Sequence, residues 1–169
     1  MRASNRHECQ GSEPIFDLNI VRSIKNDLLQ KGEFKAYLLF KLGTSTPLTL
    51  EQLLKLRVKD LTSDEVKLYL SPSFPREIND FLQSQPENQE LFSHKEFQAV
   101  KDRAVTHGVI DFDQETMRKT FGYHYFQKTR DIRKVEQALN MKPETFTFKY
   151  IGYYDETYYC FYCTKGCLW

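Results

Sequence analysis

The sequence predicts a mainly α domain with a small antiparallel β-sheet, an α+β class. Apolar residues recur at helical spacing through most of the chain. The period changes to two in one place, where Val66, Leu68 and Leu70 alternate with Lys67 and Tyr69. At 169 residues, 40% hydrophobic and 28% charged, the chain suits one globular domain large enough to bury a core.

Residues 1–13 are polar and aperiodic, and are expected to be a flexible lead-in to a domain over 14–155. Asp17 can cap a helix from about Leu18 to Lys31, with Ile20, Ile24 and Leu28 on one face. Gly32 ends it. Glu33 to Gly43 reads as a second, strongly apolar helix, closed by the turn Thr44-Ser45-Thr46-Pro47. A third helix starts near Thr49 and carries Leu50, Leu53, Leu54 and Leu56. Leu61 to Asp64 is a turn, so Arg57 to Lys59 can pair with the Val66–Leu70 strand as a short hairpin. Ser71 to Pro75 breaks the strand. Further helices are expected at 75–84, 94–107, 113–128, 131–139 and 143–149, with Phe121, Tyr125 and Val135 as core residues. Residues 156–169 form an aromatic, cysteine-bearing tail.

The net charge of +1 excludes little, but its distribution is uneven. Between Glu115 and Tyr150 there are eight basic residues against four acids. Such a region suits either a face for a polyanion or a set of solvated helix surfaces. No apolar run approaches the roughly 18 residues of a membrane span, and no signal peptide is visible. The expectation is a cytoplasmic protein with reduced cysteines and no membrane partner.

Two stretches carry a family resemblance. Gln114 to Asp155 contains ETMRKTFGYHYFQKTRDIRKVEQALNMKPETFTFKYIGYYD. It resembles box II of the tyrosine recombinases (phage-integrase family), written H-x-L-R-K-T-F-G-Y-H, then a helix, N-H-x-S, and T-L-R-Y-I-G with the nucleophilic tyrosine. Arg118 falls on the box II arginine. Tyr150, 32 residues later and followed by Ile151-Gly152, falls on the nucleophile. Leu39 to Leu61, LFKLGTSTPLTLEQLLKLRVKDL, resembles box I, L-F-x-L-G-x-x-T-G-L-R-x-S-[ED]-L-L-x-L-x-V-x-D. The resemblance spans roughly Pro14 to Asp155 and implies a catalytic-domain-like fold. The family's N-terminal DNA-clamping domain has no counterpart in the short polar stretch ahead of Pro14.

The resemblance implies DNA integration and recombination of the kind found in mobile genetic elements. A tyrosine hydroxyl attacks a DNA phosphate, a deoxyribose 5′-oxygen leaves, and the DNA stays joined as a phosphotyrosine. No metal or other cofactor is implied. Two arginines neutralise the phosphate with planar donors, a lysine protonates the leaving oxygen, and histidines assist. Most of these are missing here. The box I arginine falls on Thr49, the acidic box I position on Gln52, the box II histidine on Glu115 and the later histidine on Met141. Lys67 is the nearest lysine candidate, placed within the strand and not in its turn. The expectation is a catalytically degenerate domain that binds double-stranded DNA through Arg118, Lys119, Lys128, Arg130, Arg133, Lys134 and Lys142, with strand cleavage lost or severely impaired.

Other readings stay open. Tyr150 can be a surviving nucleophile, in which case the protein is an active site-specific recombinase. It can also be a phosphate hydrogen-bond donor or a packed aromatic. Arg118 can bind phosphate or form an ion pair with Glu115 three residues before it. His124 reads as a satisfied core histidine. Cys160, Cys163 and Cys167, with Cys9 or His7, have zinc-ligand chemistry, but with a single C-x-x-C the bland reading is a packed apolar tail and no metal. That tail could also mediate a homo-oligomer or contact with an intact recombinase, which would make the protein an interaction module.

Overall fold

The computed structural model describes residues 12–62, 74–142 and 144–153, the side chains at 62, 144 and 145 excepted. The expected strand at Val66–Leu70 and Lys67 lie outside the described residues, as do His7, Cys9 and the tail 156–169. The described chain forms α1 (Leu18–Gln30), α2 (Phe34–Gly43), α3 (Leu50–Leu54), a 3-10 turn (Val58–Thr62), α4 (Arg76–Gln83), α5 (His94–Thr106), α6 (Thr116–Thr129), α7 (Ile132–Leu139) and α8 (Glu144–Tyr150).

The ends of these helices follow local chemistry. Asp17 accepts from the Asn19 amide at 2.7 Å and starts α1. Gly32, at φ +70°, ends it in a conformation that a side chain would resist. Thr49 with Gln52, and Ser93 with Glu96, form capping boxes at the starts of α3 and α5. The corner between α6 and α7 turns on Arg130 and the end of α7 on Asn140, both left-handed, at φ 55° and 50°.

The expected small antiparallel sheet is overturned. Among the described residues there is no strand, and the extended pairing present is a single isolated bridge between Arg57 and Glu90. The segment expected to open a hairpin instead winds into the 3-10 turn at Val58–Thr62. The Asp60 carboxylate accepts from the Arg57 amide at 2.8 Å and closes that turn. Leu56 and Val58 bond to Leu91 and Gln89, so the local partner of this stretch is the 87–91 connection. A run as short as Arg57 to Lys59 cannot distinguish a strand edge from a tight turn capped by its own aspartate.

The core has two parts. In the larger, α2 is enclosed: Ala36, Tyr37, Leu38, Leu39, Phe40 and Leu42 are all buried. Such a helix, apolar all round, must be surrounded. It is covered by Val21, Ile24 and Leu28 of α1, Val100 and Ala104 of α5, and Phe112. The smaller part joins Phe121 and Phe126 of α6, Val135 and Leu139 of α7, and Phe148 and Ile151 at the end of α8. Phe121 and Val135 are buried as expected, and Tyr125 is half-buried and stacked on Phe121.

Helix α6 bridges the two parts through two glycine contacts. A Cβ at Gly43 would meet Met117 Sδ at 2.7 Å, so glycine there lets the start of α6 sit on the end of α2. A Cβ at Gly122 would meet Ile151 Cγ2 at 2.7 Å and Leu139 Cδ1 at 3.0 Å. Gly122→Ala is therefore expected to push α8 off α6 and destabilise the fold by about 1–3 kcal/mol. A lowered urea midpoint checks this. An unchanged midpoint would mean that the contact relaxes freely.

Candidate functional site

The ends of these elements converge. The turn after α2 brings Pro47, Leu48, Thr49 and Gln52. The first turn of α6 brings Arg118. The end of α7 brings Ala138, Leu139, Asn140 and Met141, and the last turn of α8 brings Tyr150. Together they line an open pocket of about 430 Å³. Thr49, Gln52, Arg118, Met141 and Tyr150 are thus brought to one place from four separate elements, and Glu115 joins them through Tyr150.

Arg118 is held by main-chain carbonyls. Its Nε donates to Pro47 O at 2.8 Å and one terminal nitrogen donates to Leu139 O at 2.7 Å. These two bonds fix the guanidinium plane at the wall of the pocket, beside Tyr150. The Arg118–Glu115 ion pair, one of the two roles open to Arg118, is not among the contacts of the described residues. Glu115 Oε2 accepts from the Tyr150 hydroxyl at 2.5 Å, and the Arg118 guanidinium lies 5.9 Å from the Tyr150 ring centre. Burial, then the hydrogen bond and charge of Glu115, push the Tyr150 phenol far above its ordinary range, against the opposing pull of Arg118.

Thr49 and Gln52 face the pocket as neutral groups. Thr49 Oγ accepts from the Gln52 amide at 3.3 Å and Gln52 Oε1 from the Thr49 amide at 2.9 Å. The pocket therefore presents one fixed cation, several neutral polar groups and a tyrosine tied to a carboxylate. It can bind a singly charged oxyanion. It lacks, among the described residues, the second planar donor needed for extra charge building on a phosphate.

The other expected DNA contacts divide between the edge of the pocket and the far end of α6. Lys142 follows Met141 at the pocket end and is exposed. Lys119 is half-buried, its Nζ 2.6 Å from Ser12 O and 5.5 Å from the Tyr150 ring centre. Lys128 and Arg130 are exposed at the far end of α6, ten or more residues beyond Arg118, or roughly 15–18 Å at helical rise. Arg133 and Lys134 are exposed near that same corner, and Lys134 lies 3.8 Å from Asp131. His124 is half-buried and satisfied, with Nε2 2.9 Å from Ile15 O, and burial lowers its pKa. Among the described residues no group of His, Cys, Asp and Glu could hold a metal ion.

The sequence reading missed the carbonyls of Pro47 and Leu139 that hold Arg118. Backbone acceptors leave no mark in a sequence. It also missed the Tyr150–Glu115 bond, although both positions were singled out, because 35 residues separate them.

The chain is similar in sequence to a known protein. The probable integrase/recombinase YoeC of Bacillus subtilis (strain 168) is 28% identical over 167 residues, covering 86% of this chain and 92% of that protein. This similarity supports the integrase/recombinase family. No family profile and no solved structure matches the chain. Among the described residues, no helix of this recombinase-like chain is long and apolar enough to cross a membrane.

Proposed function

We propose that this recombinase-like domain binds a phosphate of duplex DNA at Arg118 and does not cut the strand. The observation that carries the reading is the Tyr150–Glu115 hydrogen bond beside the fixed Arg118 guanidinium. A nucleophilic tyrosine must lose its proton as it attacks. Here the hydroxyl is half-buried, its ionisation is opposed, and its acceptor is a carboxylate that would repel the incoming phosphate. The second arginine position is Thr49. Removing one such donor typically costs about 10²–10³ in rate.

The test is anisotropy of a short labelled duplex at increasing salt, with a suicide DNA substrate in parallel. Expected are binding that weakens steeply with salt, by about 0.9 logarithmic units per tenfold rise in salt for each phosphate neutralised, and no covalent product. Absence of binding at low salt would sink the proposal. Glu115→Gln, which removes the negative charge while keeping a hydrogen-bonding group, should tighten duplex binding severalfold. No change would mean that Glu115 lies too far from the bound phosphate to matter.

A second reading has one observation in its favour. A hydroxyl 2.5 Å from a carboxylate is also the geometry of a nucleophile and its base. In that reading the protein is an active recombinase, and a covalent adduct on suicide substrates disappears in Tyr150→Phe.

A further inference from the structure

Residues 12–16 run as a strap along one face of α6. Ser12 and Ile15 are buried, although this stretch belongs to no helix. The Ser12 hydroxyl donates to the Asp113 carboxylate. The Ile15 amide donates to Thr120 Oγ1 at 2.9 Å, and His124 Nε2 lies 2.9 Å from the Ile15 carbonyl. Phe16 meets Tyr123 edge to face at 4.9 Å. On its other side the strap reaches the segment after Tyr150, where a Cβ at Gly152 would lie 3.1 Å from both Pro14 and Phe16.

The strap also captures a cation. Lys119 Nζ donates to Ser12 O at 2.6 Å while lying 5.5 Å from the Tyr150 ring centre. Lys119 adjoins Arg118 in sequence and stands beside Tyr150, yet its ammonium is committed to a neutral carbonyl. A phosphate is a stronger partner for an ammonium than a carbonyl is. The strap is tied to α6 and to Asp113 by single side-chain hydrogen bonds, and its Ile15 is buried in the larger core. Opening it exposes Ile15 but breaks no helix, so it can occur locally and short of global unfolding.

We propose that the strap withholds Lys119 from DNA, and that opening it adds one phosphate contact beside Arg118. This deepens the reading of the pocket as a DNA phosphate site and rests on it. Asp113 makes the coupling tighter, because the carboxylate that holds Ser12 also accepts from the amides of Glu115 and Thr116 at 2.8 and 3.0 Å. The strap, the Tyr150 acceptor and the start of α6 therefore share one anchor.

The experiment compares duplex binding by wild type, Lys119→Ala, Thr120→Val and the double variant, at several salt concentrations. Thr120→Val removes the acceptor of the Ile15 amide at nearly constant volume. Loss of the Phe16–Tyr123 ring contact, read from ring-current shifts, reports that the strap has opened. Opening should tighten binding about fivefold and steepen the logarithmic salt slope by about one. Lys119→Ala should cost wild type less than about twofold but cancel the whole gain in the opened variant, as one lost phosphate contact would. Ser12→Ala, which removes the tie to Asp113, gives the same comparison should Thr120→Val fail to fold. The proposal is overturned if the strap opens without tighter binding. It is overturned equally if Lys119→Ala weakens wild type as much as it weakens the opened variant. Wild type with no affinity for duplex at low salt would overturn the phosphate-site reading itself, which separates the two failures.

Discussion

Arg118→Ala should weaken duplex binding by about tenfold or more and also destabilise the protein by about 2–4 kcal/mol. The two effects have different origins. The stability loss comes from the bonds to Pro47 O and Leu139 O, which tie the turn before α3 to the end of α7. Their removal leaves two carbonyls without their charged donor. The affinity loss comes from removing the guanidinium charge at the pocket wall. Arg118→Lys separates them. A lysine keeps the charge but cannot reach two carbonyls and a phosphate with one planar group. It should retain most of the salt dependence of binding while losing stability nearly as much as alanine. Urea unfolding and salt-dependent anisotropy on the same three proteins measure both. Should Arg118→Ala bind duplex as wild type does, the pocket is not where DNA is held.

The second large effect lies outside the site. Lys25 of α1 is half-buried near α2, its Nζ 6.0 Å from the Phe40 ring centre. Burial, reinforced by the charge of Lys41, pushes its pKa down to about 8 from 10.5. The unfolded chain keeps the Lys25 proton up to its ordinary pKa, whereas the fold releases it near 8. Between those values the unfolded state binds more protons, so stability rises with pH across that window. Below it the fold carries the full cost of a poorly solvated charge. Lys25→Met keeps the apolar stem and removes the charge. It should stabilise the protein by about 2 kcal/mol near neutral pH, with the advantage shrinking above pH 8 and gone by about 10.5. Urea midpoints of both proteins across that range test it. An advantage independent of pH would mean that Met gains by packing and not by the missing charge.

Residues close in sequence determined much of this protein by themselves. Asp17, Gly32, Thr49, Ser93 and Asp131 act within one helical turn, so helix starts and stops could be read from them. The enclosed position of α2 was visible in its unbroken apolar run, since no arrangement leaves such a helix wet. The positions that converge on the pocket were also legible, because the spacing of Arg118 and Tyr150 and the pattern around Thr49 carry a family resemblance. The expected sheet failed at Arg57 to Lys59, where so short a run is a weak strand signal and the Asp60 side chain, three residues on from Arg57, decided for a tight turn.

What only the tertiary structure decided were the partners of each charge. The sequence placed Glu115 within reach of Arg118 on one helix, but the packing of Gly122 against Ile151 brings α8 close enough for Tyr150 to take that carboxylate. Packing likewise gave Arg118 two backbone carbonyls and Lys119 a third, and it set Lys128 and Arg130 at the opposite end of α6 from the pocket. Hydrogen bonds act over about 3 Å and charges over about 10 Å in salt, distances fixed by the contacts of distant helices and not by spacing along the chain.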